Sequence, residues 1–388
     1  MPSYNQAAQQ LSGIRFKVIY SFFGTEEDAR KNAETTCVEE TIEFPPTLLP
    51  ENDYWDSVKG RLEEFQLVSE SWYRAEISYA AETTSPDILQ VLNVIYGNTA
   101  MIPNIQVEDV EFPPEMLARF SGPRFGLEGV REICGVPDRP MICATIKPMG
   151  LALESLAEIA YEVALGGSDL VKDDHGITNQ PFARFEERVS KCAAAVRKAN
   201  IETGENVLYV PNVTGPVDEV LARAYFARDV GAQALMVTPG LTGWDMLRFL
   251  AEVEDLALPI LCHPSFFGIY YLSERAGFSA KFAYGVLPRL AGADISIFPN
   301  YIGRLHAEPQ DCLDAVGAAK RPMGQLKPVF PAPGGGITLD TIPQLLQFYD
   351  NDVIFIMGGG LHENHAPIEN SRKFRKMVDG IHDQPTSG

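Results

Sequence analysis

Beyond residue 140 the chain falls into short apolar runs that alternate with segments of helical spacing. The runs cover residues 142–148, 169–174, 207–214, 234–239, 260–264, 295–300, 327–333 and 352–358. Helical spacing fills 154–165, 185–199, 217–230 and 341–348 between them. Each run is too short for a buried helix. Each lies about a helix's length from the next, as parallel strands joined by crossovers do. Eight such units in roughly 220 residues predict a closed (β/α)8 TIM barrel.

The first third reads as a smaller α+β domain. Alternation predicts strands at 16–23, 74–81 and 107–112, and helical spacing covers 28–38 and 86–96. FPPTLLP (44–50) is a loop. The segment 112–124, with Pro113, Pro114, Gly122 and Pro123, is the expected boundary. The expected organisation is therefore α/β overall: an N-terminal domain over 1–120 and a barrel over 121–388, with 383–388 frayed. At 388 residues and 45% hydrophobic content the chain can bury a core of that size.

Barrel enzymes keep their chemistry where the strands end, and these ends are polar. Strand one ends in Lys147. Strand two ends in Lys172, Asp173, Asp174 and His175, and strand three in Asn212 and Thr214. Strand four runs into Thr238, strand five ends in His263 and strand six in Asn300. Strands seven and eight end in the glycine triplets of PGGG (333–336) and MGGG (357–360).

The run from Lys172 to His175 offers hard oxygen donors and one imidazole to a divalent cation. Lys172 in such a site is either a base or, as a carbamate, an anionic ligand. The same run also suits a solvated loop. Lys147, in TIKPMG, can polarise a carbonyl, shuttle a proton, or simply cap the barrel edge. Glycine triplets let backbone N–H groups converge on an anion, with a following helix adding its dipole, although tight turns need glycine too. His263 is a candidate proton donor or a packed ring. Arg304, in NYIGRLH, follows strand six, where it can close over an anion. His306, His362 and His365 also fall near strand ends, and His382 in the tail.

A net charge of −20 argues against nucleic acid and anionic membranes as partners. It would also repel a phosphorylated substrate, so a phosphate site must be built locally, from N–H groups and a few basic side chains. The six cysteines show no metal or redox spacing and are expected to be free thiols of a reducing cytosol. MPSYNQAAQQ has no apolar signal core, and no run is long enough to span a membrane, so a cytoplasmic location is expected.

RPMICATIKPMGL (139–151) followed by GGSDLVKDDHGITNQPFARFEERV (166–189) resembles the RuBisCO large subunit and RuBisCO-like proteins. FSGPRFGLEGVR (120–131), LTGWDML (241–247), CHPS (262–265) and PAPGGGI (331–337) follow in order, so the resemblance covers nearly the whole chain. It implies a barrel behind a ferredoxin-like N-terminal domain, and a homodimer or larger assembly with active sites between subunits. It makes Lys147 a proton-transfer lysine. Lys172 becomes the lysine that CO2 carbamylates and Mg2+ then binds, Asp174 a metal ligand, and His263 a substrate contact. Gly335, Gly336, Gly359 and Gly360 match the phosphate loops. Asn98 and Glu39 match residues donated across the dimer, with Glu40 fitting almost as well as Glu39.

The departures from the RuBisCO pattern carry equal weight. His175 stands where a third carboxylate ligand is usual, which makes Mn2+ tolerable beside Mg2+. Pro264 replaces a phosphate-binding arginine, and TIKPMGL lacks the second lysine. The strand-six segment lacks a histidine, Arg304 replaces the mobile-loop lysine, and Gly334 replaces a serine. The resemblance therefore implies a RuBisCO-like protein with one phosphate subsite that forms a metal-stabilised enolate and does not fix CO2. The expected reaction is decarboxylation of a 3-oxo sugar-acid phosphate of the 3-oxo-isoapionate 4-phosphate type. The alternatives are an enolase or isomerase of a methylthio-ketose phosphate, or a transcarboxylase/hydrolase. Two further readings are weaker. A non-catalytic phosphometabolite-binding protein would not need Lys147, Lys172 and Asp174 together. An unrelated enolase-superfamily barrel would need carboxylates where Asn212, Thr238 and His263 stand.

Overall fold

The computed structural model describes residues 11–50, 53–84 and 87–380. The expectations for the first ten residues, for Pro86 as a helix start, for His382 and for 383–388 lie outside the described residues. The N-terminal sheet contains β1 (Arg15–Phe23), β2 (Arg61–Ser69), β3 (Trp72–Ala80) and β4 (Ile105–Glu111). Helices Glu26–Glu39 and Ile88–Tyr96 connect them in the order βαββαβ, and the four strands lie in the order β4-β1-β3-β2, all antiparallel. This is the ferredoxin-like arrangement. β2 has no counterpart in the sequence reading. It is an edge strand with solvent on most of its residues, so no apolar alternation marks it.

The barrel strands are β5 (Met141–Ile146), β6 (Leu170–Asp173), β7 (Leu208–Val210), β8 (Leu235–Val237) and β9 (Ile260–Cys262). Next comes β10 (Gly277–Phe278), then β11 (Ile295–Pro299), β12 (Phe330–Gly334) and β13 (Ile354–Met357). The eight barrel strands run parallel in the order β7-β6-β5-β13-β12-β11-β9-β8. A bridge between Asn212 and Met236 closes the ring between β7 and β8. All eight anticipated strands are present, several of them shorter than their apolar runs. β10 is not a barrel strand. It leaves the loop after β9 and pairs in parallel with β4, becoming the fifth strand of the N-terminal sheet.

Alternation divides each barrel strand between two cores. Met141, Cys143, Leu170, Leu208, Met236, Leu261, Ile295, Phe330 and Ile354 belong to the cluster that fills the barrel interior. Ile142, Ala144, Ile146 and Val171 pack outward against the helices. The six cysteines are buried and unpaired. Among the described residues no helix is long and apolar enough to cross a membrane.

Two carboxylates tie the parts together. Asp109 on β4 receives a bidentate pair from Arg321 of the barrel at 2.5 and 2.6 Å. Asp294 accepts the N–H groups of Phe125 and Gly126 on one oxygen and that of Ile260 on the other, all at 2.7–2.8 Å. Burial holds the Asp294 pKa up at about 6 despite those three donors. The start of the helix Gly126–Cys134, which precedes β5, is thereby fixed to the starts of β9 and β11 through one side chain. Asp294→Ala strands three amides, and the expected loss is on the order of 3 kcal/mol in urea unfolding. An unchanged midpoint would remove this residue from the structural account.

Candidate active site at the barrel mouth

The inward phase of β5 continues through Thr145 to Lys147, and that of β6 through Lys172 to Asp174. Both strands thus deliver basic and acidic groups to one cavity of about 260 Å³. His175, His263 and Arg304 line the same cavity, as do Gly335, Gly336, Gly359 and Gly360. Thr145 aside, these ten are all the residues matched to the family's site or to its departures from RuBisCO at the barrel ends, apart from Pro264 and Gly334, which line the cavity too. Thr145 is a cavity residue the sequence reading missed, and stepping back two positions from Lys147 would have found it.

Asp173 has the opposite phase and points away from the cavity. It is 1% exposed and paired at 3.1 Å with Arg188, which is fully buried. Tyr209 donates to it at 2.8 Å and the Asn212 amide at 3.0 Å. Arg188 also donates to the Thr178 and Ala183 carbonyls, which fixes the loop after β6. The Asn212 side chain donates to the carbonyls of His175 and Ile177. Asn212, Thr214 and Thr238, all read as strand-end site candidates, do not line the cavity. They bond one another and the His175 segment instead. Asn300 likewise faces away, accepting from the Tyr349 hydroxyl at 3.0 Å.

Inside the mouth the Lys147 ammonium lies 2.8 Å from Asp174 Oδ2. Asp174 Oδ1 accepts the Gly176 N–H at 2.9 Å and has His175 Nδ1 at 3.3 Å. Burial opposes the Asp174 charge, but Lys147 and the Gly176 amide outweigh it and its pKa falls below the ordinary value. Lys172 is 2% exposed and donates to the Asp173 carbonyl at 3.0 Å. Burial lowers its pKa, more than the neighbouring acidic groups raise it. His175 and His263 stack with centroids 4.4 Å apart and planes 13° from parallel. Burial lowers the pKa of both imidazoles, His263 strongly; Asp174 opposes the shift at His175, and the nearby lysines add to it at both rings. His263 Nδ1 accepts the Ser265 N–H, which leaves the proton on Nε2.

Gly335 and Gly336 have φ of 101° and 117°, a backbone closed to most side chains. Among the described residues their N–H groups meet no protein acceptor. The Arg304 N–H donates to the Gly335 carbonyl at 2.7 Å, so the loop after β11 rests on the glycine turn. Gly303 permits this, since a Cβ there would lie 2.2 Å from the Gly335 oxygen. After β13 the chain enters a 3-10 turn, Gly359–His365, before the helix Pro367–Asp379, so the expected helix does not follow the glycines directly. His306 and His365 are exposed, and His362 packs against the Thr145 backbone.

Asn98 and Glu39 line a separate cavity in the N-terminal domain. Asn98 Nδ2 donates to Glu43 at 2.9 Å. Glu40 is consumed internally, accepting from the Gly97 and Thr99 amides and the Thr99 hydroxyl. Glu39 ends its helix and, among the described residues, makes no such bonds.

Residues 126–368 match the family described as ribulose bisphosphate carboxylase large chain, catalytic domain. The chain is 36% identical over 347 residues to ribulose bisphosphate carboxylase-like protein 1 of Rhodopseudomonas palustris, covering 89% of this chain and 92% of that one. It is 32% identical over 351 residues to a 5-methylthioribulose-1-phosphate isomerase of Rhodospirillum rubrum, covering 90% and 92%. It is 33% identical over 308 residues to a 2,3-diketo-5-methylthiopentyl-1-phosphate enolase of Geobacillus kaustophilus, covering 79% and 75%. A Rubisco-like protein structure from Rhodopseudomonas palustris superposes with a TM-score of 0.87 at 33% identity, covering 96% and 99%. A dimeric archaeal Rubisco from Hyperthermus butylicus gives 0.85 at 28% identity, covering 97% and 92%.

The lowered Lys172 pKa carries a stability consequence. Between its folded value and the ordinary 10.5 the unfolded chain binds more protons, so this lysine's cost to stability shrinks as pH rises across that window. In CO2-free buffer Lys172→Met is expected to raise the melting temperature at pH 7, with a smaller gain near pH 10. A gain that ignores pH would refute the buried-amine assignment.

Proposed function

Since this chain belongs to the RuBisCO large-chain family as a RuBisCO-like protein, we propose that it forms an enolate on a singly phosphorylated keto-sugar derivative. The observation that carries the proposal is the charge of the mouth. Three basic side chains, Lys147, Lys172 and Arg304, face one carboxylate, Asp174, in a protein of net charge −20. That local excess suits a phosphate and a developing oxyanion. The unpaired amides of Gly335 and Gly336 suit the phosphate, with Arg304 beside them.

Lys147 is placed to hold the enolate oxygen once substrate draws it from Asp174. Lys172, buried and inclined to lose its proton, is suited to take the α-proton or to react with CO2. The His263 Nε2–H is suited to donate to the substrate carbonyl or to return a proton.

A divalent cation would be held by Lys172 as its carbamate, by Asp174 and by His175. Asp174 Oδ1 and His175 Nδ1 are 3.3 Å apart, so both could donate to one ion. The carbamate would be the third donor; among the described residues no three His, Cys, Asp or Glu side chains converge without it. Such an ion, Mg2+ or Mn2+, would act as a Lewis acid on the substrate oxygen.

Two leaving groups fit an enolate. Relatives named as an isomerase and an enolase favour a proton. The cationic excess favours a substrate with a carboxylate beside its phosphate, and so loss of CO2 from a 3-oxo sugar-acid phosphate. The relevant assembly is a homodimer, with Asn98 and Glu39 completing the partner's site.

An NMR time course in D2O with Mg2+ and bicarbonate separates the two. Deuterium at the carbon that lost CO2 establishes decarboxylation, and α-exchange or isomerisation without carbon loss establishes proton transfer. No change in either substrate class points to a binding protein. For whichever reaction is found, Lys147→Met is expected to lower kcat by about 10²–10⁴. Lys172→Met is expected to abolish it, together with any 13CO2-derived carbamate signal. Unchanged turnover in either variant would defeat its assigned role.

A further inference from the structure

We infer that the His175–His263 stack is the wall that sets substrate length in this site, an inference that rests on the proposed phosphate position at the glycine turns. The two rings come from β6 and β9, which are not neighbours. β7 and β8 lie between them in the ring of strands. Meeting at 4.4 Å, the imidazoles span the mouth and cut off the sector above β7 and β8. The cavity confirms the division. Its lining comes from the ends of β5, β6, β9, β11, β12 and β13 and the loops after them, with no residue from β7 or β8.

Behind the stack the strand ends are already committed. Asn212 donates to the His175 and Ile177 carbonyls, Thr214 N–H to Asn212, and Thr238 N–H to Thr214. Asn212 is therefore a positioning residue that fixes the His175 backbone so that its ring reaches His263. The basic groups of the cavity, Lys147, Lys172 and Arg304, all lie on the near side of the wall. A phosphate on the Gly335–Gly336 turn then directs the carbon chain toward two flat rings, with the basic side chains of the cavity all on its own side of them. The site takes a short keto compound with one phosphate and rejects a longer chain. Among the proposed substrates this places sugar-acid phosphates ahead of chains extended by a methylthio group.

The test compares binding of two short probes, dihydroxyacetone phosphate and erythrulose 1-phosphate, with two long ones, fructose 1-phosphate and sedoheptulose 1-phosphate. Titration calorimetry is run on the full chain, metal-free and with Mg2+. Wild type is expected to prefer the short pair. His175→Ala is expected to lower that preference by about tenfold, the scale of a lost steric contact. His175→Phe restores the flat ring without any metal-binding or proton-carrying nitrogen, and is expected to restore the preference. Asn212→Ala moves it in the same direction as His175→Ala. In parallel, NMR shifts of the His263 ring protons report loss of the stacked ring in His175→Ala.

Equal preference in wild type, His175→Ala and His175→Phe overturns the wall. A preference lost in both variants assigns His175 a role through its nitrogens and also overturns it. If wild type binds none of the probes, the phosphate site itself fails and the wall with it. The ring shifts still show whether the stack exists, so the two failures are told apart.

Discussion

The buried pair between Asp173 and Arg188 governs how the residues of the barrel mouth are presented. Three consecutive residues at the end of β6, Lys172 to Asp174, point inward, outward and inward, and the outward one is locked by a fully buried charge pair. Asp173 takes two donors from β7 and its continuation and one from the helix that follows β6. With that residue held outward, Lys172 and Asp174 have no choice but the mouth. A one-residue slip of β6 would place Asp173 in the cavity and strand Arg188 without a counter-charge in the helix layer. Breaking such a pair costs about 3–5 kcal/mol, which gives the register its authority. The arrangement also explains why a KDD run is useful when only two of its three residues reach the site.

Much of this was legible in the sequence because strand ends are local. The run of Lys172 to His175, the position of Lys147 and the paired glycine triplets needed only phase and order to be placed together. What escaped was non-local. Asn212, Thr238 and Asn300 sit at strand ends as His263 does, yet they face the outer layer or each other. Polarity at a strand end does not reveal phase, and their hydrogen-bond partners are distant in sequence. β2 escaped because solvent on most of its surface erases the alternation that marks half-buried strands. β10 escaped because two residues cannot carry a pattern. Glu39 and Glu40, indistinguishable as neighbours, part company once Glu40 is seen holding the Gly97–Thr99 turn.

The mouth also shows how an acidic protein can gather local positive charge, as the proposed anion site requires. Long-range charge works against the ligand, so attraction must come from groups close enough to dominate. Two lysines and an arginine within one small cavity do this, together with amides whose donors the glycine turn leaves unspent. Burial of Lys172 has a double effect. It weakens the lysine as a cation and prepares it as a nucleophile, so part of the electrostatic attraction is exchanged for reactivity.

The strand borrowed from the loop after β9 has a consequence for how the chain is made. On the ribosome the N-terminal sheet emerges first, but its last strand, β10, lies beyond five strands of the barrel. Until that segment is synthesised, β4 keeps an unpaired edge, the kind of edge that invites pairing with another chain. The two domains therefore cannot mature one after the other as independent units. The nascent N-terminal half waits, edge open, for a short piece of a domain that is still being built, and the barrel completes its predecessor as it completes itself.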